Sequence, residues 1–210
     1  MSRRVLIYKR FERFWHWAQA ALIVALGVTG FEIHGTFTLL GFEAAVSLHN
    51  LLAWALITLI VFAVFWHFTT GEWRQYLPTR RNLGAMARYY LRGIFRGEPH
   101  PVKKTELSKL NPLQRLTYLG LKLVVIPLQV ISGLLYHFYD DLGDRGFLAG
   151  GVGPVAVVHI VGSFALVVFL VVHVYLTTTG HTPTSNIKAM ITGWEQLEED
   201  PTDQQGKETA

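Results

Sequence analysis

Nine histidines and no cysteine set the chemistry open to this 210-residue chain. Without thiolates there is no disulfide, no cysteine-held iron–sulfur cluster or zinc site, and no covalent c-type haem attachment. Imidazole remains, a good ligand for iron, zinc and copper. Two histidines, His159 and His173, stand 14 residues apart in an uncharged run. On an α-helix that is close to four turns, so both project from nearly one face, about 21 Å apart along the axis. Two ligands of one metal cannot be so distant. Two cofactors stacked across a membrane can.

The elements that must position these residues follow from composition. Half of the residues are hydrophobic and only 16% are charged, against about 25% in soluble domains, and the mean hydropathy is +0.29. The chain has ample apolar surface to bury, which excludes disorder. A bilayer core needs about 20 mostly apolar residues per helix. Four stretches meet that test, at about 14–33, 44–70, 114–138 and 154–178. The expected fold class is an all-α integral membrane protein: a four-transmembrane-helix bundle forming a single domain, 1–210. Pro127 inside the third span predicts a kink, and 150–154 reads as the turn leading into the fourth. No secretory signal is evident.

Charge gives the orientation. Arg3, Arg4, Lys9, Arg10 and Arg13 precede the first span. Ten more Lys and Arg residues, from Arg74 to Arg115 and including Lys103 and Lys104, separate spans two and three. The loop 32–43 has none and the loop 140–153 has only Arg145. Lys and Arg accumulate on the cytoplasmic side, so both termini and the middle loop are expected there. The pI near 9.4 then reflects topology and contact with anionic membrane lipid, and no nucleic acid is implied. Within 80–96, Leu83, Met86, Tyr90, Leu91 and Ile94 recur at near-helical spacing with arginines on other faces. This predicts an interfacial helix in the cytoplasmic loop between spans two and three. The acidic tail 195–210 is expected to fray.

With topology fixed, each histidine acquires a depth. His49 and His159 fall near the outer surface, His16 and His173 near the inner one. Ionisable residues inside a bilayer are functional candidates, and helix bundles hold cofactors between ligands on facing helices. The two couples point to two haem b groups, each with two axial imidazoles, with Gly27, Gly30, Ala53, Gly162 and Ser163 letting a flat macrocycle approach the backbone. A zinc site would need three or four ligands at one depth. A haem-free anchor with structural histidines is the bland alternative. His67, 18 residues after His49, faces the bundle at the inner depth, as an alternative inner-haem ligand or a quinone or propionate contact. His34, His137 and His181 sit at span ends, and His100 lies in the basic loop.

The segment RFERFWHWAQAALIVALGVTG at 10–30, AVSLHNLLAW around His49, KLNPLQRLTY before span three, HIVGSFALVVFLVVH ending in His173, and IKAMITGW after span four resemble prokaryotic membrane di-haem cytochromes b. These are the formate dehydrogenase gamma subunits and nickel–iron hydrogenase b-type cytochromes, and the likeness covers most of the chain. The resemblance implies His16 and His173 as ligands of the cytoplasmic-side haem and His49 and His159 as ligands of the outer one. It implies a quinone site at an Asn-x-x-Gln element, here Asn111 and Gln114. The preceding glycine of that family is Leu113 here, and capping of span three is an equal role for Asn111.

The function expected is a membrane-anchor subunit of an oxidoreductase complex in the bacterial cytoplasmic (inner) membrane. It would carry electrons between an extracytoplasmic catalytic, iron–sulfur or multihaem subunit and the quinone pool (menaquinone or ubiquinone) of a respiratory chain. The partner type is formate dehydrogenase, hydrogenase or thiosulfate/tetrathionate reductase, and the chain itself would carry the quinone half-reaction. A stand-alone quinone-oxidising cytochrome b is the other reading.

Overall fold

The computed structural model describes residues 2–102, 105, 108–143 and 150–198. Its four long apolar helices are Arg10–Ile33, Phe42–Thr70, Pro112–His137 and Val152–Thr177, hereafter spans one to four. Span one packs along span two, and span three along span four. The large apolar side chains of the spans, such as Leu51, Phe65, Leu123 and Val171, stand exposed on the outside of the bundle, as lipid solvation requires. Among the described residues the buried polar and charged ones are Thr29, Glu32, His67, Lys109 and Ser132. A membrane protein buries what lipid rejects, and every one of these five is a positioning or binding group below.

Spans one and three begin earlier than hydropathy places them, because polar residues start them. The Lys9 N–H donates to Glu12 Oε2 at 2.7 Å, satisfying a free donor before span one. At span three the Gln114 N–H donates to Asn111 Oδ1 at 2.9 Å and the Asn111 N–H to Gln114 Oε1 at 3.0 Å. This reciprocal capping box stands directly before Pro112 at the first helical position. The effect of Pro127 is a π-helical turn at Leu121–Val125. Proline donates no hydrogen bond and its ring crowds the carbonyl four residues back, so the turn preceding it widens. The loop joining spans one and two is tied by Glu32, whose Oε1 accepts the N–H groups of Leu39, Leu40 and Gly41 at 2.6–2.8 Å.

The middle loop holds the expected helix at Leu83–Leu91, with Met86 fully buried and Leu91 exposed beside its arginines. Lys103, Lys104, Arg145 and 199–210 lie outside the described residues. One expectation is corrected. The tail does not fray from 195: Trp194–Glu198 (β2) pairs antiparallel with Ser2–Leu6 (β1), in the register Arg3↔Leu197 and Leu6↔Trp194. A basic strand meets an acidic one, Arg4 lies 5.3 Å over the Trp194 ring, and Val5 and Ile7 are buried.

Gly193 joins this strand pair to the helix Ser185–Thr192. Its carbonyl accepts the N–H groups of Ile7 and Tyr8 at 2.9 and 3.1 Å. Its φ is +87°, and a Cβ there would sit 2.7 Å from the Tyr8 carbonyl oxygen. Gly193→Ala should therefore cost about 1–3 kcal/mol and loosen the strand pair. Hydrogen-exchange mass spectrometry should show faster exchange in 2–6 and 194–198, with the spans unchanged.

Candidate haem site

The structure brings the histidines together in two pairs. His49 of span two faces His159 of span four with ring centroids 6.4 Å apart. His16 of span one faces His173 of span four at 6.1 Å. Span four thus contributes one member to each pair, as the 14-residue spacing predicts. Among the described residues no three His, Cys, Asp or Glu side chains converge to hold a metal ion. These four described histidines of the spans meet in pairs.

Hydroxyls fix the His49/His159 pair. Thr29 Oγ1 donates to a carbonyl of its own helix, with Ala25 O at 3.0 Å and Leu26 O at 3.2 Å. It therefore meets His49 Nδ1, at 2.9 Å, as an acceptor. Ser132 Oγ does the same, donating to Gln129 O at 3.2 Å and standing 3.1 Å from His159 Nδ1. Each hydroxyl has one proton and has spent it, so each imidazole carries its own proton on Nδ1 and leaves Nε2 as a lone pair. A metal-binding imidazole needs that tautomer, held from its far nitrogen. Glycines bring the helices close: a Cβ at Gly30 would lie 3.5 Å from His49 Cε1, and one at Gly133 only 3.0 Å from His159 Cε1.

In the His16/His173 pair, Tyr118 OH stands 3.5 Å from His173 Nδ1 and Phe169 stacks on the His173 ring at 5.5 Å. His16 Nδ1 is buried with no hydrogen-bond partner.

These residues fit an iron porphyrin with two axial imidazoles. Imidazole nitrogen binds first-row metals at about 2.0 Å, which puts the centroids of two trans rings roughly 6 Å apart, the spacing of both pairs. Between the pairs lies a small cavity of about 30 Å³, lined by residues of all four spans including Ile23, Leu56, Ile126 and Leu166. Leu166 is midway between His159 and His173 in the chain. Gln129 points into this region. Its Nε2 donates to His159 Nε2 at 3.1 Å and to Ser163 Oγ at 2.9 Å, while its buried Oε1 has no partner. A half-satisfied amide is weakly held, so Gln129 can yield the lone pair of His159.

The remaining candidates sit elsewhere. His67 belongs to neither pair and is buried among the rings of Trp15, Trp66 and Tyr76. Asn111 and Gln114 bond to one another as described, and Asn111 Nδ2 donates to Tyr90 OH at 3.0 Å. Sequence reasoning missed Thr29, Ser132 and Gln129; the available signal was hydroxyl and amide side chains inside spans, where lipid would not tolerate them unpaired.

Replacing either hydroxyl tests this support. Thr29→Val or Ser132→Ala should weaken retention of a haem at the His49/His159 pair by about 10- to 100-fold. Haem transfer to apomyoglobin measures it.

Residues 7–193 match the family model of prokaryotic cytochrome b561. The chain is 30% identical over 200 residues to cytochrome YdhU of Escherichia coli (strain K12), covering 92% of this chain and 75% of that protein. It is 27% identical over 228 residues to a Ni/Fe-hydrogenase B-type cytochrome subunit of Azotobacter vinelandii, covering 95% and 91%. No solved structure matches it significantly. Four apolar helices and two pairs of facing imidazoles agree with this match. This chain belongs to the prokaryotic cytochrome b561 family, membrane cytochromes that bind haem b and transfer electrons.

Proposed function

We propose that the protein is the di-haem membrane subunit of a bacterial oxidoreductase. It would carry electrons between an extracytoplasmic redox partner and the quinone pool in the cytoplasmic membrane, with both termini cytoplasmic. The observation that carries this reading is the double pairing on span four: His159 faces His49 and His173 faces His16. When bound, two haems supply one-electron carriers in series across the bilayer.

The chain's own residues do the rest. Thr29 and Ser132 hold the outer imidazoles in the ligating tautomer, and Glu32 sets the outer loop against which a partner would dock. Phe169 and Tyr118 orient His173 at the inner end. The Lys and Arg excess on the terminal side supports the orientation. The name of the Azotobacter relative, a hydrogenase subunit, supports an oxidoreductase partner.

Purification in mild detergent followed by a reduced-minus-oxidised spectrum tests the reading. Two b-type haems per chain are expected. Protein made with haem available and isolated without any would overturn it.

A further inference from the structure

Beside the inner histidine pair lies a second cluster that the haem reading does not use. Lys122, the only Lys or Arg within span three's apolar run, lies in the π-helical turn. Such turns inside α-helices recur at functional sites. Its Nζ sits 3.3 Å from the centroid of the Tyr76 ring and 4.9 Å from that of Trp15. Among the described residues no carboxylate lies within salt-bridge distance of it. An ammonium in a span, lying against ring faces with no carboxylate partner among the described residues, is expensive and calls for an oxygen acceptor.

His67 supplies the complement. Its Nδ1 donates to the Ala63 carbonyl at 2.6 Å, which leaves Nε2 a bare acceptor in the neutral ring. Tyr76 OH and Lys122 Nζ both converge on that nitrogen, each at 3.4 Å. Those contacts are long beside the usual 2.9–3.0 Å, so the three groups surround a point without bonding tightly to one another. A small recess of about 50 Å³ opens from His67 and Tyr76 toward Gln75, Leu110 and the Glu12, Glu72 and Lys109 cluster. Lys122 also lies one helical turn from Tyr118, whose hydroxyl touches His173.

A ligand for this cluster must accept a hydrogen bond from Lys122 in one state and give one to His67 in another, next to an electron carrier. We propose that Lys122, His67 and Tyr76 bind the head group of a quinone. The oxidised ring offers carbonyl oxygens to Lys122 and Tyr76. The reduced ring, richer by two electrons and two protons, offers hydroxyl protons to His67 Nε2. The inference rests on the quinone half of the proposed function, and it places the head group away from Asn111 and Gln114, whose side-chain oxygens are engaged in the helix cap, with Asn111 Nδ2 bonded to Tyr90.

The test uses the full haem-loaded chain in detergent and a short-chain naphthoquinone, with binding read from quenching of tryptophan fluorescence, since Trp15 and Trp66 flank His67. Lys122→Met and His67→Leu should each raise the Kd about tenfold or more, with haem content and spectrum unchanged. Lys122→Arg and His67→Gln, which keep a donor and an acceptor, should restore most of the affinity and guard against a folding defect. Unchanged affinity in the first two variants, with loss in Gln114→Leu, would overturn the assignment and return the head group to the cap of span three. A Lys122→Met protein with normal quinone affinity but altered haem retention would overturn it too, giving the ammonium to a haem carboxylate. Haem-loaded wild-type protein that binds no quinone removes the quinone half of the proposed function along with this inference, whereas loss in the variants alone leaves both standing.

Discussion

On the proposed di-haem reading, His159→Ala should remove one haem while sparing the other. The His49/His159 site would lose one of its two imidazoles, and His49 alone, though still held by Thr29, would not retain iron in a dry bundle. The reduced-minus-oxidised band should fall to about half, since two low-spin b haems absorb comparably. His49→Ala should give the same spectrum, and the double variant should lose no more than either alone. His16→Ala and His173→Ala should remove the other haem. His67→Ala should keep both, because its imidazole faces Lys122 and Tyr76, away from the two pairs. Transmembrane electron flow should fail in all four ligand variants. Retention of both haems in His159→Ala would sink the ligand assignment; loss of the inner haem in His67→Ala would reassign that ligand.

The contrast among these variants follows features that are legible in the sequence. Bilayer thickness demands long apolar helices, so the four spans stand out in the hydropathy, and depth along them predicted which histidines would meet. Spacing alone placed His159 and His173 on one face. It could not show that Thr29 and Ser132 would aim at the two outer imidazoles, because a hydroxyl inside a span can as easily bond its own helix, and both do so as well. Nor could it show that Lys122 and His67, 55 residues apart, would converge; the rotation of Lys122 depends on a π turn set by Pro127. The pairing of β1 with β2 escaped for a different reason. Two five-residue charged segments at opposite ends of the chain carry no apolar alternation, and only the burial of Val5 and Ile7 beside Gly193 makes them strands. Asn111 shows the opposite case: Asn before Pro with Gln three residues on is a cap in sequence and in structure.

Lys109→Ala should be the most destabilising change outside the haem sites. Its ammonium bridges Glu12 of span one at 2.8 Å and Glu72 after span two at 3.1 Å, with side-chain exposures of only 10–13%. Removing one partner of a buried pair costs about 3–5 kcal/mol. The lower figure, about 3 kcal/mol, is expected here, because Glu72 keeps Lys9 at 2.6 Å and Glu12 keeps the Lys9 N–H. Lys9→Ala should cost far less, since Lys9 is 57% exposed and exposed pairs contribute little. Burial raises the Glu72 carboxyl, but the hydrogen bonds and charges of Lys9 and Lys109 outweigh it and hold it below its ordinary 4.5. A carboxylate so depressed stabilises the fold fully above 4.5 and ceases to do so as pH falls through its lower folded value. Thermal unfolding followed by tryptophan fluorescence should therefore show a lower Tm at pH 4 than at pH 7, and Lys109→Ala should shrink that difference. An equal pH dependence in both proteins would mean that the cluster does not tie span one to the start of span three, and that some other contact sets the inner end of the bundle.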